Sequence, residues 1–297
     1  MIPSVFLKII SESLLSLYPA MVKFIHFPII NQTWARLVIY TLISMIFMDW
    51  KIAGKGLFSL LGITLALINV IHIYSSYIGF ANLESGVSYS IFYIYPLLIL
   101  LFSATKMQWI YFVPLIGVGL LTYSGWSSLL SNNFTKGLAG IIVSTLTEVA
   151  MYFIVRKMKI NNKWNILFIA YLLPAIILSA ILNKNVLPKN KSNNNNNNNI
   201  DSTNETDENK ENKENKENKW NKDVIFLLLG NAIIGALGYY LRFYTIEKLP
   251  VVVYSSLSYF GIIMAYFYGW ELNKETLDWK KAIGSLLIII SGIASNI

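Results

Sequence analysis

Apolar runs of roughly 20 residues follow one another along almost the whole chain, and a run of that length is what a helix needs to cross a bilayer. About ten are legible, near residues 3–25, 33–49, 56–80, 86–105, 108–128, 136–156, 164–182, 224–245, 250–271 and 280–297. In hydrocarbon every backbone donor and acceptor must be satisfied internally, which makes the helix the spanning form for runs this long. The breaks carry interfacial chemistry. Asp49-Trp50-Lys51, Arg156-Lys157 and Asp278-Trp279-Lys280-Lys281 put charge and indole where headgroups lie. Pro19, Pro96, Pro114 and Pro174 fall inside runs, which membrane helices tolerate when neighbours satisfy the freed carbonyl. The first run holds Lys8 and Glu12 and lacks a clear small-residue cleavage site, so it reads as a helix and not a signal peptide. The expected fold class is an all-α integral membrane protein with about ten transmembrane helices.

Composition narrows the chemistry. Charged residues make up 13% of the 297, about half the share of a soluble domain. Cysteine is absent and histidine occurs as His26 and His72 alone, which excludes disulfide frameworks, thiolate zinc sites and Cys nucleophiles. Neither GxxxxGK[ST] nor HExxH occurs, so ATP-driven work by this chain and zincin chemistry have no motif. No aspartate lies inside an apolar run, which removes a paired-aspartate intramembrane protease. No metal and no cofactor is expected.

The net charge is +8. Residues 183–223 contribute nothing to it, because eight lysines there face eight acids. That stretch contains an unbroken Asn193 to Asn199 run and four copies of Glu-Asn-Lys from Glu208 to Lys219. It cannot bury an apolar face, and is read as a disordered loop. The excess charge therefore sits on the apolar body, scattered at helix ends. The expected partners are membrane lipid and a small-molecule solute, with a homodimer admissible and nucleic acid excluded.

Lys and Arg in short breaks favour an N-inside orientation, which with ten helices puts both termini in the cytosol. The triplets Asn31-Gln32-Thr33, Asn133-Phe134-Thr135 and Asn204-Glu205-Thr206 fall on the opposite side. Plasma membrane and an intracellular organelle membrane stay open.

The chain repeats itself. Phe80-Ala-Asn-Leu-Glu84, then Val87 and Tyr95-Pro96, is echoed by Phe243-Tyr-Thr-Ile-Glu247, then Val251 and Tyr259-Phe260. Ile116-Gly117 and Ser124-Gly125 match Ile283-Gly284 and Ser291-Gly292, and Tyr18 and Lys23 match Tyr152 and Lys157. Five helices followed by five give halves of opposite topology, residues 1–130 and 136–297, the second interrupted by 183–223. Inverted repeats of this kind are a plan of secondary transporters.

Further residues resemble a known family. Ile246-Glu-Lys-Leu-Pro250 leading to Ser258-Tyr259, then Tyr268-Gly269-Trp270-Glu271, then Ile283 to Gly292, looks like the end of an EamA-type half. Leu17-Tyr18-Pro19 to Lys23 and Trp34-Ala35-Arg36 look like the start of a first half, and Gly140 to Lys157 like the start of a second. The resemblance is to the drug/metabolite transporter superfamily and covers nearly all the chain except 183–223. Two positions depart from it: Phe260 stands where the ninth helix has a central Pro, and an acid is missing near Lys106 although Glu271 is present. The resemblance implies a ten-helix transporter of amino acids, nucleotide sugars, sugar phosphates or drugs.

Ionisable groups at membrane depth are costly and ask for a function. Glu12 and Glu148 lie mid-run in repeat-equivalent helices and are the proton-coupling candidates. Glu148 comes first, because a carboxyl in a low-dielectric site can exchange its charge for a proton. Asn69, His72 and Ser76 share a helical face. Asn231, Gly235, Gly238 and Arg242 form a small-and-polar stripe whose glycines read as close packing. Tyr18, Asn69, His72, Asn231 and Arg242 are the substrate-binding candidates. Arg36, Lys23 and Arg242 also sit near run ends, where snorkelling is the simpler expectation. The expected function is secondary transport of a small polar metabolite by alternating access, with a non-transporting scaffold or an embedded enzyme as the alternative.

Overall fold

The structure is a computed structural model that describes residues 2–103, 109, 113–124, 132–186 and 220–294. Among the described residues it is almost wholly α-helical and contains no strand. Eight helices or helix pairs are long and apolar enough to cross a membrane: Ile2–Phe24, Ile29–Phe47, Leu60–Asn82, Ser85–Ser103, Asn133–Met158, Lys163–Leu182, Lys222–Lys248 and Val251–Asn273. Two shorter helices, α8 (Val113–Ser124) and α14 (Trp279–Ala294), stand at the fifth and tenth apolar runs. They pack closely on each other, and a Cβ added at Gly117 would lie 2.6 Å from the Gly284 carbonyl oxygen.

Three of the long spans are each divided by a local irregularity of one or two residues, at which Ser16 and Tyr259 keep near-helical dihedrals. The first is α1 (Ile2–Leu15) and α2 (Leu17–Phe24), the fourth is α6 (Ser85–Phe92) and α7 (Tyr95–Ser103), and the ninth is α12 (Val251–Ser258) and α13 (Phe260–Asn273). The breaks at Ser16, Tyr93-Ile94 and Tyr259 converge. A Cβ at Gly261 would overlap the Tyr93 hydroxyl and lie 3.1 Å from Ser16 Oγ, so only glycine admits that approach. Tyr95 donates to Ser258 Oγ at 3.2 Å, joining the fourth span to the ninth beside their breaks.

The unbroken helices are α3 (Ile29–Phe47), α5 (Leu60–Asn82), α9 (Asn132–Met158), α10 (Lys163–Val186) and α11 (Lys222–Lys248). Local chemistry sets their starts. Ser59 caps α5 by accepting from Gly62 N, and Asn221 caps α11 by accepting from Val224 N at 2.7 Å. Pro28 and Pro250 sit immediately before α3 and α12, where a missing N–H does no harm. The short α4 (Trp50–Leu57) follows Asp49, which accepts from Lys51 N and Ile52 N, and its exposed Trp50 fits an interfacial position. Asn31 and Asn133, read from the sequence as glycosylation sites, lie in the first turns of α3 and α9, while Asn204 lies outside the described residues.

Contacts between helices fix their senses. Along α1 and α2, Glu12, Leu15 and Tyr18 meet Arg242, Gly238 and Gly235 of α11 in descending order, so these helices are antiparallel. His72, Ser75 and Asn82 of α5 meet Ser144, Gly140 and Gly137 of α9, again in descending order. Lys23 at the end of α2 and Ser85 just past α5 share Glu275, so α2 and α5 end on one face of the protein. The first span and α9 therefore run in opposite senses.

The expected loop 183–223 is shorter than the sequence suggested. Residues 183–186 close α10, residues 222–223 open α11, and Trp220 packs on Phe27 and Trp34, with ring centroids 4.7 and 6.1 Å away. Residues 187–219 lie outside the described residues. The outer surface carries exposed Ile46, Leu67, Ile142 and Phe226, whereas Lys8, Glu12, Arg36, Glu148 and Arg242 are buried. That inversion is what a lipid solvent selects.

Candidate functional site

A charge network fills the space beside the three helix breaks. Arg242 reaches in from α11 and forks between two acids. Its Nη1 donates to Glu148 Oε1 of α9 at 2.8 Å, and its Nη2 donates to Glu12 Oε2 of α1 at 2.9 Å. Nη2 also reaches the Tyr93 hydroxyl at 3.2 Å, and Tyr93 donates to Glu12 Oε2. Lys8, one turn before Glu12, pairs with Glu12 Oε1 and lies 3.5 Å above the Tyr254 ring. All four charged side chains are at most 5% exposed. A buried charge pair is stable when its remaining sites are hydrogen-bonded, and the planar guanidinium fork meets that requirement for two carboxylates at once.

His72 of α5 borders this network. Its Nδ1 lies 3.2 Å from the Ser144 carbonyl oxygen and 3.1 Å from Thr147 Oγ1. The carbonyl can only accept, and Thr147 gives its own proton to Val143 O, so the network assigns the hydrogen to Nδ1. Nε2 is then an acceptor for the Tyr239 hydroxyl at 3.2 Å. Glu148 Oε2 lies 3.5 Å from the same Nε2 and has no hydrogen-bond partner. Nε2 therefore spends its one lone pair on Tyr239, and Glu148 Oε2 would gain a bond to His72 only if Nε2 carried a proton.

A second cluster surrounds Arg36 of α3. Its guanidinium carbon lies 4.1 Å from the Tyr18 ring centroid, 5.2 Å from Tyr40, 5.6 Å from Tyr77 and 5.3 Å from Tyr239. The Tyr18 and Tyr40 hydroxyls bond to each other. A narrow cavity of about 10 Å³, the room of about one water, lies between the two clusters. Its lining includes Tyr18, Arg36, His72, Ser76, Tyr239 and Arg242.

The sequence candidates fall into two sets. Tyr18, His72 and Arg242 line the cavity, and Glu12 and Glu148 hold Arg242 in place. Asn69 is buried on α5 and donates to the Ala170 carbonyl oxygen of α10 at 2.8 Å, outside the cavity lining. Asn231 is buried on α11, about three turns from Arg242. The expectation that Arg36 and Arg242 snorkel at helix ends is corrected. Both are central, at 3% and 1% exposure, because α3 and α11 extend beyond the apolar runs that suggested their ends. Lys23 is near a helix end as expected and pairs with Glu275 at 2.7 Å. The stripe glycines pack closely, with Gly235 leaving room for the Tyr18 and Tyr40 hydroxyls and Gly238 for Leu15. Sequence reading missed Lys8 and Arg36 as site residues. The spacing of four in Lys8/Glu12 and Arg36/Tyr40 puts each pair on one helical face and was the signal available.

Comparison with known proteins adds fold and family. One crystal structure of a protein matches with a TM-score of 0.57 at 14% identity, covering 99% of this chain and 95% of that one. At that identity the likeness is one of fold. No curated protein matches the chain. The long apolar helices make the chain a multi-pass integral membrane protein. Residues 207–296, most of its second half, match the EamA-like transporter family of the drug/metabolite transporter superfamily, the same superfamily its motifs resemble.

Proposed function

We propose that the chain is a secondary transporter. It would have ten spans in two inverted five-helix halves, moving a small polar metabolite by alternating access with proton coupling at Glu148. The observation that carries this reading is the meeting of three mid-span irregularities with a buried charge network beside a narrow cavity. Irregular backbone at membrane depth is tolerated where it lines a substrate path, and broken helices at the interface of two repeats are where transporters bind substrate. The opposite senses of the first span and α9 support inversion of the halves. The Glu148–His72 gap supports a site for one proton, flanked by Arg242, Glu12, Lys8 and Tyr239.

The test is flux. The purified protein in liposomes is offered a panel of radiolabelled polar solutes with and without an imposed proton gradient. At least one solute accumulates, and the gradient changes its rate. Absence of flux for every solute, in protein shown to be folded and correctly inserted, overturns the reading.

A further inference from the structure

We infer that Arg36 and its tyrosine cage bind the carboxylate of a small organic monoanion. The inference names a substrate class for the transport reading and rests on it for the word substrate. Arg36 is buried and pairs with no carboxylate among the described residues. Its neighbours are neutral rings, and cation–π attraction alone does not replace a counter-ion. A lone cation at this depth is costly and by default marks a functional site.

Among the described residues Arg36 Nε lacks a hydrogen-bond partner, and the Tyr77 and Tyr171 hydroxyls, which lie beside the guanidinium, have no acceptor for their own O–H. Tyr171 packs against Tyr40 at a centroid distance of 4.6 Å with the rings tilted by 43°, and the Tyr40 ring faces Arg36. All three atoms are donors, and a carboxylate is an acceptor with about four lone-pair sites that suits the guanidinium fork.

Charge decides between a monoanion and a phosphate dianion. Lys8, Arg36 and Arg242 are three buried cations, and Glu12 and Glu148 are two buried anions. Arg242 and Lys8 are already paired within the network, so one positive charge, that of Arg36, is unmatched. One negative charge neutralises the site, while two would leave a buried excess. The cavity as it stands holds about one water, so a carboxylate and an apolar or ring-bearing body behind it would enter only as the site opens toward one side.

The test separates binding from flux. Purified protein in a neutral detergent is titrated with acetate, benzoate and indole-3-acetate, each against its uncharged amide, and with phenyl phosphate. Thermal stabilisation and calorimetry read the affinity. At least one carboxylate binds about tenfold or more tighter than its amide, as a charge-assisted bond implies, and tighter than phenyl phosphate. Arg36→Gln loses that preference, and Arg36→Lys keeps the preference with weaker binding. If Arg36→Gln does not fold, the carboxylate-to-amide ratio in the unaltered chain and in Arg36→Lys still decides. Equal binding of carboxylates and amides, or an unchanged ratio in Arg36→Gln, overturns the inference. So does stabilisation by added phosphatidylglycerol and by none of the carboxylates, which would assign the site to a lipid headgroup. Flux of a neutral solute untouched by Arg36→Gln sinks the anion site and leaves transport standing. Selective carboxylate binding without flux keeps the site and sinks transport.

Discussion

Glu148 gives one oxygen to Arg242 and turns the other toward His72, so this side chain links the charge network to the histidine and is the site proposed for a proton. Replacing it with Gln keeps the shape and a hydrogen bond to Arg242 but removes the titration. Glu148→Gln is expected to insert and fold while its uptake no longer responds to an imposed proton gradient. Uptake against pH for both proteins in matched liposomes is the measurement, and superimposable profiles would remove Glu148 from coupling. Glu12 behaves differently, because it alone faces both Lys8 and Arg242. Truncating it strands a buried cation, a change that costs about 3–5 kcal/mol. Glu12→Ala should therefore lower thermal stability in detergent far more than Glu148→Gln does; equal losses would mean the network is hydrated and weak.

Helix contacts translate the same logic into packing. The α5–α9 pair approaches through Gly79, Gly137 and Gly140, as small residues allow in membranes. A Cβ at Gly140 would lie 2.6 Å from the Ser75 carbonyl oxygen and 3.1 Å from Gly79 N, and backbone cannot rotate aside. Gly140→Val is expected to cost about 1–3 kcal/mol or more by overpacking, and to displace His72 from Ser144. Gly230 on α11 has no neighbour within 4 Å of an added Cβ. Gly230→Ala should be neutral or stabilise by up to about 1 kcal/mol through backbone entropy. Thermal unfolding of both variants checks the pair, and a reversed order would mean that α5 and α9 do not pack as described.

Across the whole molecule, two ion-pair clasps close opposite ends of the bundle. At one end Glu275 takes Lys23 at 2.7 Å and Ser85 N at 2.7 Å, beside a Lys281–Glu84 pair at 2.5 Å. At the other, Glu247 takes Lys163 at 2.5 Å. Glu84 and Glu247 are the two acids that the internal repeat relates. The clasps join different elements at opposite ends, and under the transport reading each is expected to hold one side of the site shut. The absence of cysteine allows a direct measurement. In a Ser76→Cys background, Glu275→Gln should raise labelling by a membrane-impermeant thiol reagent from the Lys23 end alone. Glu247→Gln should raise it from the opposite end alone. The expected increase is about fivefold, matching the ~1 kcal/mol of a partly exposed ion pair. Equal labelling from both ends would show that the clasps do not gate. The segment 187–219, neutral and repetitive, should be replaceable by a short Gly/Ser linker with insertion and flux intact, provided Trp220 and the Asn221 cap are kept. Loss of flux with normal insertion would give that segment a role.

Run length and polarity along the chain determined the helical membrane class and the positions of the eight long spans. These follow from one-dimensional rules, because bilayer thickness and backbone hydrogen bonding act on each segment separately. The midplane rarity of Glu12, Glu148 and His72 likewise marked them without coordinates. The partners of these groups were not legible. Arg242 joins residues 94 and 230 positions away, and Arg36 is enclosed by tyrosines from α2, α3, α5 and α11. Hydropathy gives a lysine or arginine near a run end the same reading whether it snorkels to the interface or turns inward. The choice between those fates depends on what the neighbouring helices present, and only their packing placed two carboxylates against Arg242 and, among the described residues, none against Arg36.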